Sequence, residues 1–183
     1  MPESIAPEIR QRAIAAAQGR EPFDLLLTGG TVVDVATLEL READVGIVGP
    51  MIASVHPRGK FGQAALTHDL SGLLIAPGFI DGHMHFESSH MLPHHYAATV
   101  LPQGTTTVFC DPHELANVLG VAGVRWAVSA SRDLLLRFIV QASSTVPAAP
   151  GLEMSGADFQ SAEIAEMLSW PEVRSEEHTS ELQ

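Results

Sequence analysis

The sequence predicts an α/β protein in which a small β-rich module precedes a parallel sheet flanked by helices. Between residues 21 and 76, short runs rich in Val, Leu and Ile are separated by Gly29-Gly30 and Gly49-Pro50, as in strands joined by hairpin turns. From residue 77 onward, strand-like and helical runs alternate. That order predicts βα units with parallel strands.

A helix is expected before the module, within residues 1–20. Ile5, Ile9 and Ala13 recur at helical spacing, and Gly19 is a suitable helix end. The module itself is predicted to be sandwich-like. Its strands are expected over residues 23–28, 31–35, 44–48, 51–56, 66–70 and 73–76.

The second region, residues 77–173, begins with a strand that ends in polar residues. Three strands are predicted there, over residues 79–85, 105–110 and 135–142. Three helices are predicted to alternate with them, over residues 93–101, 117–131 and 161–169. Three βα units in series predict a parallel sheet whose strand ends share one edge.

The composition limits the classes of function. The chain has 183 residues, with 10 Lys and Arg against 22 Asp and Glu and a formal net charge of −12. Such an acidic chain repels phosphate, so binding to nucleic acid or to an anionic membrane is not expected. No apolar run approaches the roughly 20 residues of a membrane helix. The N-terminus also lacks the apolar core of a signal peptide, so we expect a cytoplasmic location.

The last ten residues, 174–183, are expected to be non-native. They show no apolar periodicity, and the string RSEEHTSELQ corresponds to one reading frame of a sequencing adapter. A segment of this kind is excluded from reasoning about the fold, like a cloning scar. The rest of the chain is then expected to be the front part of a longer protein.

The motif that carries chemistry is Asp81-Gly82-His83-Met84-His85. In a strand, residues i and i+2 point to the same face, so His83 and His85 project together with Cα atoms about 6.6 Å apart. Two imidazoles at that separation can converge on one cation, with bonds of roughly 2.0–2.1 Å. Barrel enzymes hold their catalytic groups at this carboxyl end of a parallel strand.

The residues around the histidine pair form a specific pattern. In chain order, the segments are 76–81 (APGFID), 87–89 (ESS), 101–107 (LPQGTTT) and 111–120 (DPHELANVLG). Over about residues 21–173, the chain resembles the adenine deaminase family of the amidohydrolase superfamily. It departs from the family pattern at Leu92, where a helix-capping Thr or Ser is usual before the proline.

The resemblance implies the start of a (β/α)8, TIM-like barrel and a hydrolase of carbon–nitrogen bonds. The reaction would convert adenine to hypoxanthine and ammonia, using a di-metal centre of Fe(II) or Mn(II), with Zn(II) as a further candidate. His83 and His85 would be metal ligands. The family takes its other ligands from the fourth, fifth, sixth and eighth strands. None of those is predicted here, so this chain alone is expected to be inactive.

Three more residues are candidates for the site: Glu87, His113 and Glu114. Glu87 follows the histidine pair, and the other two follow the second predicted strand, so all three face the same edge. With the resemblance, they are candidates to contact the substrate or to orient the metal ligands, and His113 is also a candidate ligand. The structural alternatives are that Asp111 caps the next helix and that His113 bonds across a loop.

The remaining histidines and the single cysteine are expected to lie outside the chemistry. His90, His94 and His95 lie on or before a short helix and are predicted to be solvated. Two more histidines, at positions 56 and 68, fall in the module. Cys110 ends a strand and is expected to be a packed thiol. A single cysteine also excludes an internal disulfide.

Other functions stay open at this point. Another amidohydrolase acting on a cyclic amide or amidine, such as a cytosine deaminase or dihydroorotase, would share the His-x-His strand. It would not be expected to share Glu-Ser-Ser and Asp-Pro-His-Glu. The alternative from a different class is a non-catalytic metal-binding fragment. A cytidine-type zinc deaminase is excluded because its Pro-Cys-x-x-Cys motif needs more than one cysteine.

The resemblance makes adenine the expected small-molecule partner, and a homo-oligomer is an option for the complete protein.

Overall fold

The computed structural model describes residues 5–176, and these form two compact units that divide between Pro77 and Gly78. The ends of the chain, including most of the predicted non-native tail, lie outside the described residues. The first unit contains the predicted N-terminal helix and the β-rich module. The second contains the parallel sheet.

The first unit consists of one helix and six strands. They are α1 (Pro7–Ala17), β1 (Phe23–Thr28), β2 (Thr31–Asp34), β3 (Glu39–Val48), β4 (Met51–Pro57), β5 (Ala64–Asp69) and β6 (Leu74–Ile75). The strands are hydrogen-bonded in the order β5-β1-β3-β2-β6, and β4 also pairs with β3. They make one six-stranded sheet, where the sequence predicts a sandwich-like module.

The length of β3 explains this single sheet. Its ten residues pair antiparallel with β2 at one end and with β1 and β4 nearer the other. The turn at Gly49-Pro50 is a hairpin, because Val48 pairs with Met51 across it. The expectation of a hairpin at Gly29-Gly30 is wrong. The strands on either side of that turn, β1 and β2, both pair with β3 instead of with each other, so the two glycines link strands that pair with successive parts of β3.

The module core joins the helix to the sheet through small and aromatic side chains. Ala16 of α1 packs with Phe23, Leu26 and Val48, and all four are almost fully buried. His56 also lies in this core, with its ring stacked on Phe23 at a centroid separation of 5.8 Å.

His56 is a buried polar group in this aromatic cluster. It is 3% exposed, its Nδ1 lies 3.0 Å from Ser54 Oγ, and its ring meets Phe61 edge-on at 4.8 Å. Burial lowers the pKa of His56, although the nearby carboxylate of Asp44 acts in the opposite direction. The folded module therefore favours the neutral imidazole.

We predict that acid destabilises the module through His56. Because its pKa is lower in the folded than in the unfolded chain, stability is full above the ordinary histidine pKa of about 6.5 and falls as the pH drops through the folded value. In the complete protein, His56→Phe keeps the aromatic packing and should lose less thermal stability between pH 8 and pH 5 than the wild type does. The exposed His68 gives the control, His68→Phe. Equal pH dependence in wild type and His56→Phe would contradict the prediction.

The second unit has four parallel strands and four α-helices in the described residues. They are β7 (Phe79–Met84), α2 (Pro93–Val100), β8 (Thr105–Cys110), α3 (His113–Leu119), α4 (Val121–Ala130), β9 (Arg137–Ala142), α5 (Ser161–Leu168) and β10 (Val173–Glu176). The strand order is β10-β9-β8-β7, so each strand lies beside its successor in the chain. This βα alternation confirms the predicted α/β class and partial barrel.

The helix predicted after β8 and the last strand differ most from expectation. The helix predicted over residues 117–131 is interrupted at Gly120, which has φ +64° and ψ −148°. Glycine tolerates this backbone because it has no Cβ, so the chain makes two helices, α3 and α4, where periodicity indicates one. Strand β10 pairs with β9 and continues to Glu176, so it crosses the predicted start of the non-native tail at residue 174.

Buried apolar side chains line the sheet of this unit. Val108, Cys110 and Val140 are at most 1% exposed and lie on the neighbouring strands β8 and β9.

Leu92 precedes α2 without a side-chain cap, as the sequence indicates. Among residues 5–176, no helix is long and apolar enough to cross a membrane.

Candidate metal centre

The candidate site lies where three neighbouring strands end. His83 is in β7, and His85 is the first residue after it. Asp111 is the first residue after β8, and Ser143 is the first after β9. Because parallel strands bring their carboxyl ends to one edge of the sheet, residues far apart in sequence meet there.

The two histidines face each other as their spacing predicts. Their Nε2 atoms lie 3.0 Å apart, and their ring centroids are 4.9 Å apart. Two nitrogens bound to one tetrahedral ion at 2.0–2.1 Å would be about 3.3 Å apart. The observed separation is therefore close to what a shared divalent ion requires, and the donor atoms fit such an ion.

The other nitrogen of His85 is turned towards carboxylates. His85 Nδ1 is buried and lies 3.3 Å from Oε2 of Glu114 and 3.7 Å from Oδ2 of Asp111. The ring thus has a side that faces His83 and a side that faces negative charge. His83, His85 and Asp111 each offer one potential ligand atom, and these three atoms lie within 4.8 Å of one another.

Asp111 is the most deeply buried acidic group of the site. Its side chain is fully buried, and Oδ1 accepts a hydrogen bond from the hydroxyl of Ser143. Its backbone amide donates to the carbonyl of Met84, 3.0 Å away. The residue at the N-cap position of α3 is Pro112, which makes no side-chain cap bond. The Asp111 carboxylate lies at the carboxyl edge of the sheet, beside Ser143 and His85.

Glu114 lies on the first turn of α3, where its carboxylate reaches both the histidine pair and the loop after β7. Its Oε1 accepts a hydrogen bond from Ser88 Oγ at 3.0 Å, and its side chain is 48% exposed. Burial acts to raise the pKa of Glu114, but its own backbone amide, Ser88 and the nearby His85 and His113 together hold the pKa below its usual value.

Glu87 lies on a short 3-10 turn directly after the histidine pair. Its Oε1 accepts a long hydrogen bond from the amide of Leu115, at 3.4 Å, and its Oε2 is buried. Burial raises the pKa of Glu87, and the charge of Glu114 adds to the effect. His113 completes the group, with its ring 6.2 Å from that of His85 and nearly perpendicular to it.

The structure therefore gathers all five predicted site residues: His83, His85, Glu87, His113 and Glu114. Sequence reasoning missed Asp111 and Ser143 as members of the site. The signal that could have found them is position, since each directly follows a parallel strand. His90, His94 and His95 are exposed, as predicted.

Cys110 is fully buried, and burial raises the pKa of its thiol well above the ordinary value. It is therefore a packed thiol, as the sequence predicts, and not a ready thiolate ligand.

A parallel βα sheet with imidazoles and carboxylates converging at its carboxyl edge is the arrangement of metal-binding α/β-barrel proteins. Comparison with known proteins gives the family. The model of the amidohydrolase family matches residues 74–181, which is more than half of the chain. The chain belongs to the amidohydrolase family.

Individual relatives agree with this assignment. The chain is 62% identical over 164 residues to an adenine deaminase of Serratia proteamaculans and 59% identical over 165 residues to adenine deaminase 2 of Rhizobium meliloti. Each match covers 90% of this chain and 28% of the relative. The chain thus spans little more than a quarter of the length of these proteins.

Solved structures support the fold. A D-aminoacylase with a binuclear metal centre is 26% identical with a TM-score of 0.57, over 80% of this chain and 35% of the other. The L-hydantoinase of Arthrobacter aurescens is 19% identical with a TM-score of 0.54, over 70% of this chain and 29% of the other. The second likeness concerns the fold alone.

We predict that the histidine pair holds metal in the complete protein. The double variant His83→Ala, His85→Ala removes the two converging imidazoles and should purify with at least one equivalent of divalent metal fewer than the wild type, measured by elemental analysis. The control is His94→Ala, His95→Ala. The rings of that pair are also close, with centroids 3.9 Å apart, but the pair lies on the exposed surface and should leave the metal content unchanged. Equal metal content in all three proteins would refute the prediction.

Proposed function

We propose that the complete protein to which this chain belongs hydrolyses adenine to hypoxanthine and ammonia. The observation that carries the proposal is the 62% identity to an adenine deaminase over 90% of this chain. That span contains both the histidine pair and the Asp-Pro-His-Glu segment. The wider likeness to D-aminoacylase, at 26% identity, supports the fold and a metal centre but is too distant to favour its substrate.

His83 and His85 are proposed as two of the metal ligands. Their Nε2 atoms are 3.0 Å apart and face the same point. When bound there, a divalent ion would supply a water nucleophile that is active at neutral pH, because coordination lowers the pKa of water towards about 7. The pair lies at the carboxyl end of β7, so the two imidazoles are open to substrate on the side away from the buried core.

The carboxylates beside the histidines are proposed to hold the substrate and the ligands. Adenine presents an exocyclic amine and ring nitrogens, which carboxylates and imidazoles can bind by hydrogen bonds. Glu114 is fixed by Ser88 yet remains about half exposed, so it is the better placed of the two carboxylates to contact adenine. Glu87 is more enclosed and is proposed to line the site floor or to orient its neighbours. His113 lies beside them as a substrate contact or a further ligand.

Mn(II) or Fe(II) is proposed as the resident ion, with Zn(II) as the alternative. Imidazole nitrogens suit Fe and Zn, while carboxylate oxygens suit Mn. The site combines both donor types, and the one nearby thiol is buried and protonated. A cytoplasmic location is also part of the proposal for the complete protein, and a homo-oligomer stays an option.

We predict that the complete protein releases ammonia from adenine when supplied with Mn(II), and that His83→Ala lowers kcat/KM at least about a hundredfold. The physical reason is that loss of one ligand loosens the ion and returns its water towards an unactivated pKa. Ammonia release is measured directly, and His94→Ala serves as the matched control. Undiminished turnover in His83→Ala would overturn the assigned role.

The same assay separates adenine from other substrates. Cytosine, dihydroorotate and N-acyl-D-amino acids are offered in parallel, because other amidohydrolases share the His-x-His strand. Hydrolysis of one of these in preference to adenine would replace the proposed substrate and leave the family unchanged.

We also predict that the 183-residue chain alone has no measurable deaminase activity. It spans 28% of its adenine deaminase relatives, and its described residues supply four parallel strands, whereas a closed barrel has eight. A four-stranded segment leaves incomplete the carboxyl face of the barrel, where barrel enzymes assemble their catalytic groups from several strands. Measurable release of ammonia from adenine by this chain would contradict the prediction.

A further inference from the structure

We propose that Asp111, held by Ser143, is a positioning residue that fixes the rotation and tautomer of His85. The inference rests on the proposed role of His85 as a metal ligand and adds two residues to it. Ser143, Asp111 and His85 each directly follow one of the three neighbouring strands β9, β8 and β7. They form a chain of hydroxyl, carboxylate and imidazole across the edge of the sheet.

The orientation of the His85 ring distinguishes a positioning role from a direct ligand role. Nε2 of His85 faces Nε2 of His83 at 3.0 Å, so the proposed ion lies on that side. Oδ2 of Asp111 lies 3.7 Å from Nδ1, the ring nitrogen on the other side. Asp111 is therefore behind the imidazole with respect to the ion.

A carboxylate in this position determines which nitrogen carries the proton. The negative charge of Asp111, 3.7 Å from Nδ1, favours the proton on that nitrogen, and the lone pair of the neutral ring is then on Nε2 and points towards His83. The carboxylate also raises the basicity of the ligand and restrains its rotation. Asp111 thus favours the one tautomer that can bind the ion.

Glu114 is nearer to the same Nδ1, at 3.3 Å, but it is less suited to this role. Its side chain is 48% exposed and is engaged by Ser88 on the surface side. Asp111 is fully buried, and its backbone is bonded to the carbonyl of Met84 on β7. Water screens a fully buried carboxylate less than one that is half exposed, which favours Asp111 for this role.

Ser143 sets the direction of the Asp111 carboxylate. Its hydroxyl is fully buried and donates to Oδ1 of Asp111, and Oδ2 is the oxygen that faces His85. In this series of contacts, Ser143 touches Asp111 and does not itself touch His85. Substitution of Ser143 therefore tests positioning without removing a ligand.

The test measures metal affinity and geometry in the complete protein, using Mn(II) for affinity and Co(II) for its visible absorption. Asp111→Asn should weaken Mn(II) binding about 10- to 100-fold, the usual effect of losing a partner behind a ligand. Ser143→Ala should weaken it in the same direction but less, and Ser143→Thr, which keeps the hydroxyl, should restore it. At saturating Co(II), the number of ions bound and the absorption band positions should match those of the wild type.

Matched controls are Asp158→Asn and Ser129→Ala. Asp158 accepts a hydrogen bond from the Gln160 side chain, and Ser129 donates one to a backbone carbonyl of its own helix. Both residues therefore serve as controls away from the site. Both controls should bind Mn(II) as the wild type does. Circular dichroism checks that the variants are folded, and Ser143→Ala carries the test if Asp111→Asn does not fold.

Two results would overturn the inference. Unchanged Mn(II) affinity in a folded Asp111→Asn or Ser143→Ala protein would show that the chain of contacts does not act on the metal. Loss of one bound ion at saturation, with shifted Co(II) bands, would make Asp111 a ligand instead. The positioning role and the proposed substrate can fail separately. If the wild type does not deaminate adenine but these variants still bind metal more weakly, the positioning role is supported and the proposed substrate is not.

Discussion

The parallel pairing of β7, β8 and β9 is the constraint on which the candidate site depends. Met84 pairs with Cys110, and Cys110 pairs with Val140, so the ends of three strands are aligned at one edge. A slip of one residue would turn a strand-end side chain to the opposite face. The backbone bond from Asp111 to Met84 helps to hold this alignment. The register is therefore as much a part of the site as the side chains themselves.

Features that depend on neighbours in sequence could be predicted from the sequence. The two-residue period of a strand places His83 and His85 on one face, and alternation of strands and helices indicates a parallel sheet. The predicted strand over residues 105–110 has the bounds of β8. Glu87 and Glu114 could be placed near the histidines because both follow strands that end at the same edge. These inferences required only local pattern and the general geometry of parallel sheets.

Features that depend on distant partners could not be predicted in this way. Asp111 and Ser143 are 32 positions apart, and their hydrogen bond exists only because β8 and β9 are adjacent. The Gly29-Gly30 segment resembles a hairpin in sequence, but β3 is long enough to pair with β1 and β2 one after the other along its length. At Gly120, hydrophobic periodicity continues through a residue whose backbone conformation ends one helix and begins the next.

The burial of Cys110 has a consequence for the durability of the site. This thiol precedes Asp111 in the chain, yet it has no exposed surface and its pKa is raised by burial. Peroxide and soft metals such as copper react with exposed thiolates, because the anion is both the nucleophile and the ligand. A protonated, enclosed sulfur is protected from both. The protein can thus keep a soft atom beside the candidate metal centre without exposing the sulfur to oxidative damage or to capture of a soft metal ion.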